Sequence, residues 1–236
     1  GELNVDAAVV VATIRSQKYN GGVAKDELTD ENVEALEKGM VNLQRHVENV
    51  RKFGVTPVVA LNLFPSDTQA ERDFMRDWAE KVGVQLAEVE VFTKGGDGAL
   101  ELGQIVLDNL GGNSAPLYDP SEGIEASIEK IATEIYRADK VEYGSKALKD
   151  LKYLKDNGWD ALPVVISKTQ YSFSDDAQAL GAPEGHTLHV RELLPRTGAG
   201  FVVALTGNVM TMPGLPKKPA ANNIDVDADG LISGLF

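Results

Sequence analysis

The chain has 236 residues, 36 acidic against 23 basic, a net charge of −13 and 43% hydrophobic residues, enough to bury one large core or two small ones. It contains no cysteine, which excludes disulfides, iron–sulfur clusters, Cys-bearing zinc sites and a thiol nucleophile. The negative field repels nucleic acid, no apolar run approaches the roughly 18 residues of a membrane span, and no signal peptide is visible, so the expectation is a cytoplasmic protein with neither partner.

The first element in the chain is the apolar run Ala7 to Ile14, which reads as a strand buried on both faces of a parallel sheet. A central strand so near the start, with no initiator Met, suggests that a further segment belongs before it. RSQKYNGG then reads as a turn-rich loop. Thr29 or Asp30 caps a helix to about Phe53, where Val33, Leu36, Met40, Leu43, Val47 and Val50 recur at steps of three and four and Gly54 stops it. PVVALN at Pro57 to Asn62 is a second buried strand. Asp67 or Thr68 caps a helix to about Val82, Val84 to Phe92 is a third strand, and a helix from Ala99 to Leu110 follows the loop TKGGDG. Alternating strands and helices indicate a doubly wound parallel sheet, whose ligands sit beyond the carboxyl ends of its strands. The loops at those ends run from Arg15 to Gly22, Asn62 to Asp67 and Thr93 to Gly98.

Composition shifts at GGNSAPLYDPSEG, which divides the chain into residues 1–112 and a smaller α/β domain, 113–236. In the latter, helices are expected at Ser121 to Arg137 and Ser145 to Asn157. Strands follow at Pro163 to Ser167, His186 to Glu192 and Gly200 to Thr206, and a hairpin turns at Asp229-Gly230.

Motifs of chemistry are sparse. There is no GxxxxGK[ST] and no GxGxxG, so the common phosphate cradles are missing. The half-sheet nevertheless resembles the distal half of a phosphate-loop NTPase. Asn62 either presents its amide to a purine edge or begins an Asx-type turn into Phe64-Pro65. Gly95 and Gly96 either let a ligand approach the backbone or simply turn the chain. Phe64 and Phe92, at the ends of adjacent strands, can flank a flat ring. His46 reads as a half-buried packing residue, while His186 and His189 point to opposite faces, so no metal set forms. Asp225, Asp227 and Asp229 imitate a calcium loop, but its twelfth position is Phe236 rather than Glu. KTQYSFSDD, after the Pro163 strand, and MTMPGLPKKPAA are loops of the kind that carry function.

In order along the chain, AAVVVATIRSQKYNGG, NLQRHVENVRKFGVTPVVALNLFPSDT, EVFTKGGDGALEL, PLYDPSEGIEASIEKIATEIYRADKVEY, LPVVISKTQYSFSDD and VRELLPRTGAGFVVALTGNVMTMPGLPKKPAA resemble the C-terminal part of formate–tetrahydrofolate ligases. The resemblance implies a reaction in which ATP phosphorylates formate and N10 of tetrahydrofolate attacks the formyl phosphate. It implies Mg²⁺ and a monovalent cation in the whole enzyme, and a homo-oligomer. The family's phosphate loop would precede this chain, so no catalytic residue is assigned and the chain alone is expected to be inactive. By resemblance Asn62, Phe64 and Pro65 match an NxFP loop at the adenine site. Phe92 stands where the family has a Trp in EVWAKGG, keeping a stacking face but losing the indole N–H. Gly95 and Gly96 complete the proposed nucleotide or folate platform. Asn208 replaces a common Asp. The rival expectation is a stand-alone nucleotide- or partner-binding module of the same fold.

Overall fold

The computed structural model describes residues 4–207 and 218–234. Asn208, most of the stretch Met210 to Ala221, and Phe236 lie outside them. The first half runs β1 (Ala7–Ala12), α1 (Ile14–Asn20), α2 (Val33–Lys52), β2 (Thr56–Asn62), α3 (Gln69–Val82), β3 (Gln85–Val89), α4 (Val91–Lys94) and α5 (Leu100–Asp108). Its sheet is parallel, in the order β1-β2-β3. The second half holds α6 (Ile124–Glu134), β4 (Lys140–Tyr143), α7 (Ser145–Asp156), β5 (Val164–Ser167), β6 (Thr187–Arg196) and β7 (Phe201–Thr206). These strands are ordered β4-β6-β7-β5, with β6 antiparallel to β7 and the outer pairs parallel. A small hairpin, β8 (Asp225–Val226) and β9 (Ile232–Ser233), follows. The architecture is α/β, as the alternation of elements predicts.

β2 is the spine of the first core. Val58, Val59 and Leu61 are fully buried, each contributing roughly 1.5–3 kcal/mol of burial. α2 lays Leu36, Met40, Leu43 and Val47 against the sheet, and α3 adds Met75 and Trp78. A separate core in the second half gathers Ile128, Leu151, Leu154, Val190 and Leu193. Thr68 caps α3 in a reciprocal capping box with Glu71, and Gly83 ends that helix in the left-handed region.

Four expectations need correction. The loop expected from Arg15 to Gly22 begins as a helix. Thr13 Oγ1 accepts from Ser16 N–H at 3.0 Å, and Ile14, Gln17 and Lys18 are buried, so packing overrides the turn-like composition. α1 crosses α2 backbone to backbone, since a Cβ on Gly39 would fall 1.8 Å from the Gln17 carbonyl oxygen and one on Gly21 1.9 Å from that of Ala35. Second, the cap of α2 is Asn32, whose Oδ1 accepts from Ala35 N–H at 2.9 Å, rather than Thr29 or Asp30. Third, β1 is not buried on both faces. It is an edge strand, with Val9 42% and Val11 69% exposed. Fourth, β3 ends at Val89, and Phe92 sits in the helical turn α4.

Polar contacts join the halves. Arg45 Nη2 meets Glu184 Oε1 at 2.6 Å and Arg137 Nη2 meets Glu48 Oε2 at 2.6 Å. Asn42 Nδ2 donates to the Gly181 carbonyl at 2.8 Å, and Gly181 N–H donates to Asn20 Oδ1 at 3.0 Å.

Candidate functional site

The parallel register aligns Asn62 with Val89, so the loops carrying Phe64 and Phe92 leave the same end of the sheet. Leu63 N–H donates to the Val89 carbonyl at 3.0 Å, which extends the pairing one residue past β2. The chain then turns. Phe64 N–H donates to Asp67 Oδ2 at 2.8 Å and Asp67 N–H returns to the Phe64 carbonyl at 2.9 Å. Asp67 thus closes the turn that Asn62 was a candidate to begin. Burial raises the Asp67 carboxyl pKa, against the Phe64 N–H bond that lowers it. Pro65 fixes the backbone inside this turn. The Phe64 ring remains 36% exposed and lies 5.3 Å from the guanidinium carbon of Arg15, a cation–π contact.

Phe92 is 99% exposed, and Val91 and Leu100 on either side of it in the chain are exposed as well. Lys94 pairs with Glu90 beside it. Gly95 has φ +57, the sign that favours glycine. Gly96 has open space around it, whereas a Cβ on Gly98 would lie 2.5 Å from the Glu90 carbonyl oxygen. The tight approach in this glycine-rich turn is therefore at Gly98, where the chain meets its own backbone.

A second feature lies against the same region. A cleft of about 950 Å³ opens between α1 and α2 on one side and the end of β5 with its following loop on the other. Arg15 lines it, as do Lys25, His46, Tyr136 and Lys168. The loop is held by its own hydroxyls, with Ser172 Oγ donating to the Ala179 carbonyl at 2.6 Å and accepting from Ser174 N–H at 3.0 Å. Lys168 Nζ donates to the Thr169 carbonyl at 2.8 Å and also reaches the Ser172 carbonyl. Burial brings the Lys168 pKa down to about 8. His46 lines this cleft and packs its ring 4.6 Å from that of the buried Phe173, in the packing role expected of it. Burial and then the charge of Lys168 lower its pKa. The sequence flagged KTQYSFSDD as a loop but did not single out Lys168. The available signal was a lysine immediately after a predicted strand.

The formate–tetrahydrofolate ligase family model matches residues 1–236, the whole chain. The chain belongs to the formate–tetrahydrofolate ligase family. It is 64% identical over 237 residues to the formate–tetrahydrofolate ligase of Corynebacterium diphtheriae, covering all of this chain and 43% of that one. It is 59% identical to that of Corynebacterium jeikeium, covering all of this chain and 42% of the relative, and 56% identical to that of Staphylococcus carnosus, covering 98% and 42%. The chain thus spans less than half the length of the curated relatives it matches. Within this family frame, the NLFP turn and the exposed Phe92 are the ring-binding candidates, and the structure leaves both at one end of the first sheet. Among the described residues no helix is long and apolar enough to cross a membrane.

Proposed function

We propose that this chain forms the C-terminal part of an ATP-dependent ligase, acting in the cytoplasm, that makes 10-formyltetrahydrofolate from formate and tetrahydrofolate through formyl phosphate. The match over the full chain supports the reading, and the Phe64 and Phe92 loops, which leave the same end of the first sheet, point it to particular residues. On this reading residues 1–112 are the distal part of a phosphate-loop NTPase-like domain, and residues 113–236 form a C-terminal α/β domain. Asn62, Phe64, Pro65 and Phe92 line a platform for the adenine or folate ring, with Gly95 and Gly96 shaping its rim.

Phosphoryl transfer to formate depends on positioning and on cations that offset developing charge, with no covalent protein intermediate. These residues supply the positioning. Arg15, stacked on Phe64, brings a fixed positive charge to the platform's edge. Among the described residues no three His, Asp or Glu side chains gather as a metal site. No step here runs through the Mg²⁺ or the monovalent cation that the resemblance implies. The sequence contains no GxxxxGK[ST] cradle, so the chain by itself is proposed to be inactive.

Phe92→Ala in the full-length ligase tests the platform. The ring makes almost no packing contribution at 99% exposure, so stability should hold. The KM for tetrahydrofolate or for ATP should rise about tenfold, the equivalent of one lost stacking contact of roughly 1–1.5 kcal/mol. Unchanged KM values for both substrates would remove Phe92 from the site.

A further inference from the structure

The cleft between the halves has a composition that the ligase reading does not use. The chain carries 36 acidic residues against 23 basic, yet among the described residues no Asp or Glu lines this cleft, and Arg15, Lys25 and Lys168 all do. Asp175, the acid whose charge acts on Lys168, is already engaged, its Oδ2 accepting from the backbone N–H of His189 and lying 2.8 Å from His189 Nδ1. Aromatic rings stand beside these cations. Lys25 Nζ stands 5.6 Å from the Tyr19 ring centroid and 5.5 Å from that of Tyr171, one ring from each half of the chain. Lys168 Nζ stands 5.1 Å from the Tyr136 ring, and Leu28, Ile166 and Phe173 complete the apolar lining.

Cations placed over aromatic faces inside a negatively charged protein are an unusual local reversal of field. They attract an anion, and the neighbouring rings then offer stacking surface to whatever the anion is attached to. A volume of about 950 Å³ lies within the range for a small organic ligand. Arg15 stands between this cleft and the Phe64 turn, so the two features share a wall without being one pocket.

We propose that this cleft is a second ligand site, for a small molecule that joins a flat ring to a phosphate group. The phosphate is held by Lys25, and the ring lies against Tyr136, Tyr171 and Phe173, within reach of the Lys168 amine. The inference stands on the cleft alone and does not require the ligase reading.

Pyridoxal 5′-phosphate tests it, because this probe has the required ring and phosphate and reports its own position. The Lys168 amine would add to the aldehyde with loss of water, and borohydride would reduce the imine to a stable secondary amine that peptide mapping locates. At pH 7.5 an amine with pKa about 8 has roughly two-hundredfold more neutral form than an ordinary lysine. In the full-length chain, labelling of Lys168 should exceed that of other lysines by at least about tenfold. AMP should protect it at concentrations where adenosine alone or inorganic phosphate alone does not. Lys25→Glu, which alters an exposed side chain, should cut Lys168 labelling about tenfold, and Lys25→Arg should retain it. Labelling spread evenly over surface lysines would overturn the proposal. So would equal protection by adenosine and AMP, or a Lys25→Glu variant that labels like the parent.

Discussion

Lys18 and Glu71 form an ion pair 1% and 0% exposed, with Nζ and Oε1 2.8 Å apart. Its surroundings make Lys18→Met an informative perturbation. Lys18 Nζ also donates to the Asp30 carbonyl at 2.8 Å. The Glu71 carboxylate accepts from Asn32 N–H at 3.0 Å and from Thr68 N–H at 3.2 Å. One buried pair therefore ties α1 to the start of α2 and to the cap of α3. Removing the lysine strands a carboxylate and the Asp30 carbonyl in a dry site. Breaking a buried pair in this way costs about 3–5 kcal/mol. With a urea m-value of about 3 kcal/mol/M, the midpoint should fall by roughly 1–1.7 M. Trp78 lies in the first core and Trp159 packs on the second, so a Trp159→Phe background lets fluorescence report the first half alone. The double variant Lys18→Met/Glu71→Leu should cost clearly less than the sum of the single changes, because it leaves no unpaired charge. Burial pushes the Glu71 carboxyl pKa up, but the bonds from Lys18, Asn32 and Thr68 outweigh it and hold the pKa below its usual value. The folded-state pKa lies below the unfolded one, so the pair's contribution is present at neutral pH. It fades as pH falls from the ordinary carboxylate value through the folded one. Glu71→Gln should lose that part of the acid sensitivity. A Lys18→Met variant destabilised by less than about 1 kcal/mol at pH 7 would refute the reasoning, since an uncompensated buried carboxylate cannot be that cheap.

The isolated 236-residue chain should release no ADP in a coupled assay with formate and tetrahydrofolate, and turnover near that of the full-length enzyme would show that the missing cradle is dispensable. The edge strand β1 exposes Val9 and Val11, so the isolated chain should self-associate in light scattering. Val11→Lys should shift it towards monomer, and a parent already monomeric at high concentration would sink this expectation.

The long elements were legible because their patterns are strong. α2 declares itself by apolar residues at helical steps, β2 by an unbroken apolar run, and α3 by Thr68 and Glu71 in capping-box spacing. α1 was hidden because RSQKYNGG is rich in turn formers, and the burial of Gln17 and Lys18 that holds it depends on Glu71, distant in sequence. β4 was missed because KVEY is only four residues long and gains its strand character by pairing with β6. The apolar face of β1 was read as buried, but whether such a face is covered depends on neighbours that periodicity does not reveal. At the candidate site, Phe64 follows the end of β2 as expected, whereas Phe92, expected at the end of a strand, lies in the short helix α4. Asp67, which shapes the Phe64 turn, was seen only as a helix cap. Lys168 escaped because Tyr136 and His46, distant in sequence, meet it only after folding.

The seam between the two halves has a mechanical consequence. Each half owns an apolar core, and what crosses between them is chiefly guanidinium, carboxylate and amide. The more exposed members, such as Glu184 and Arg137, trade their partners for water at little cost, whereas the buried Arg45 and Asn49 do not. Added electrolyte should therefore weaken the joint before it weakens either core.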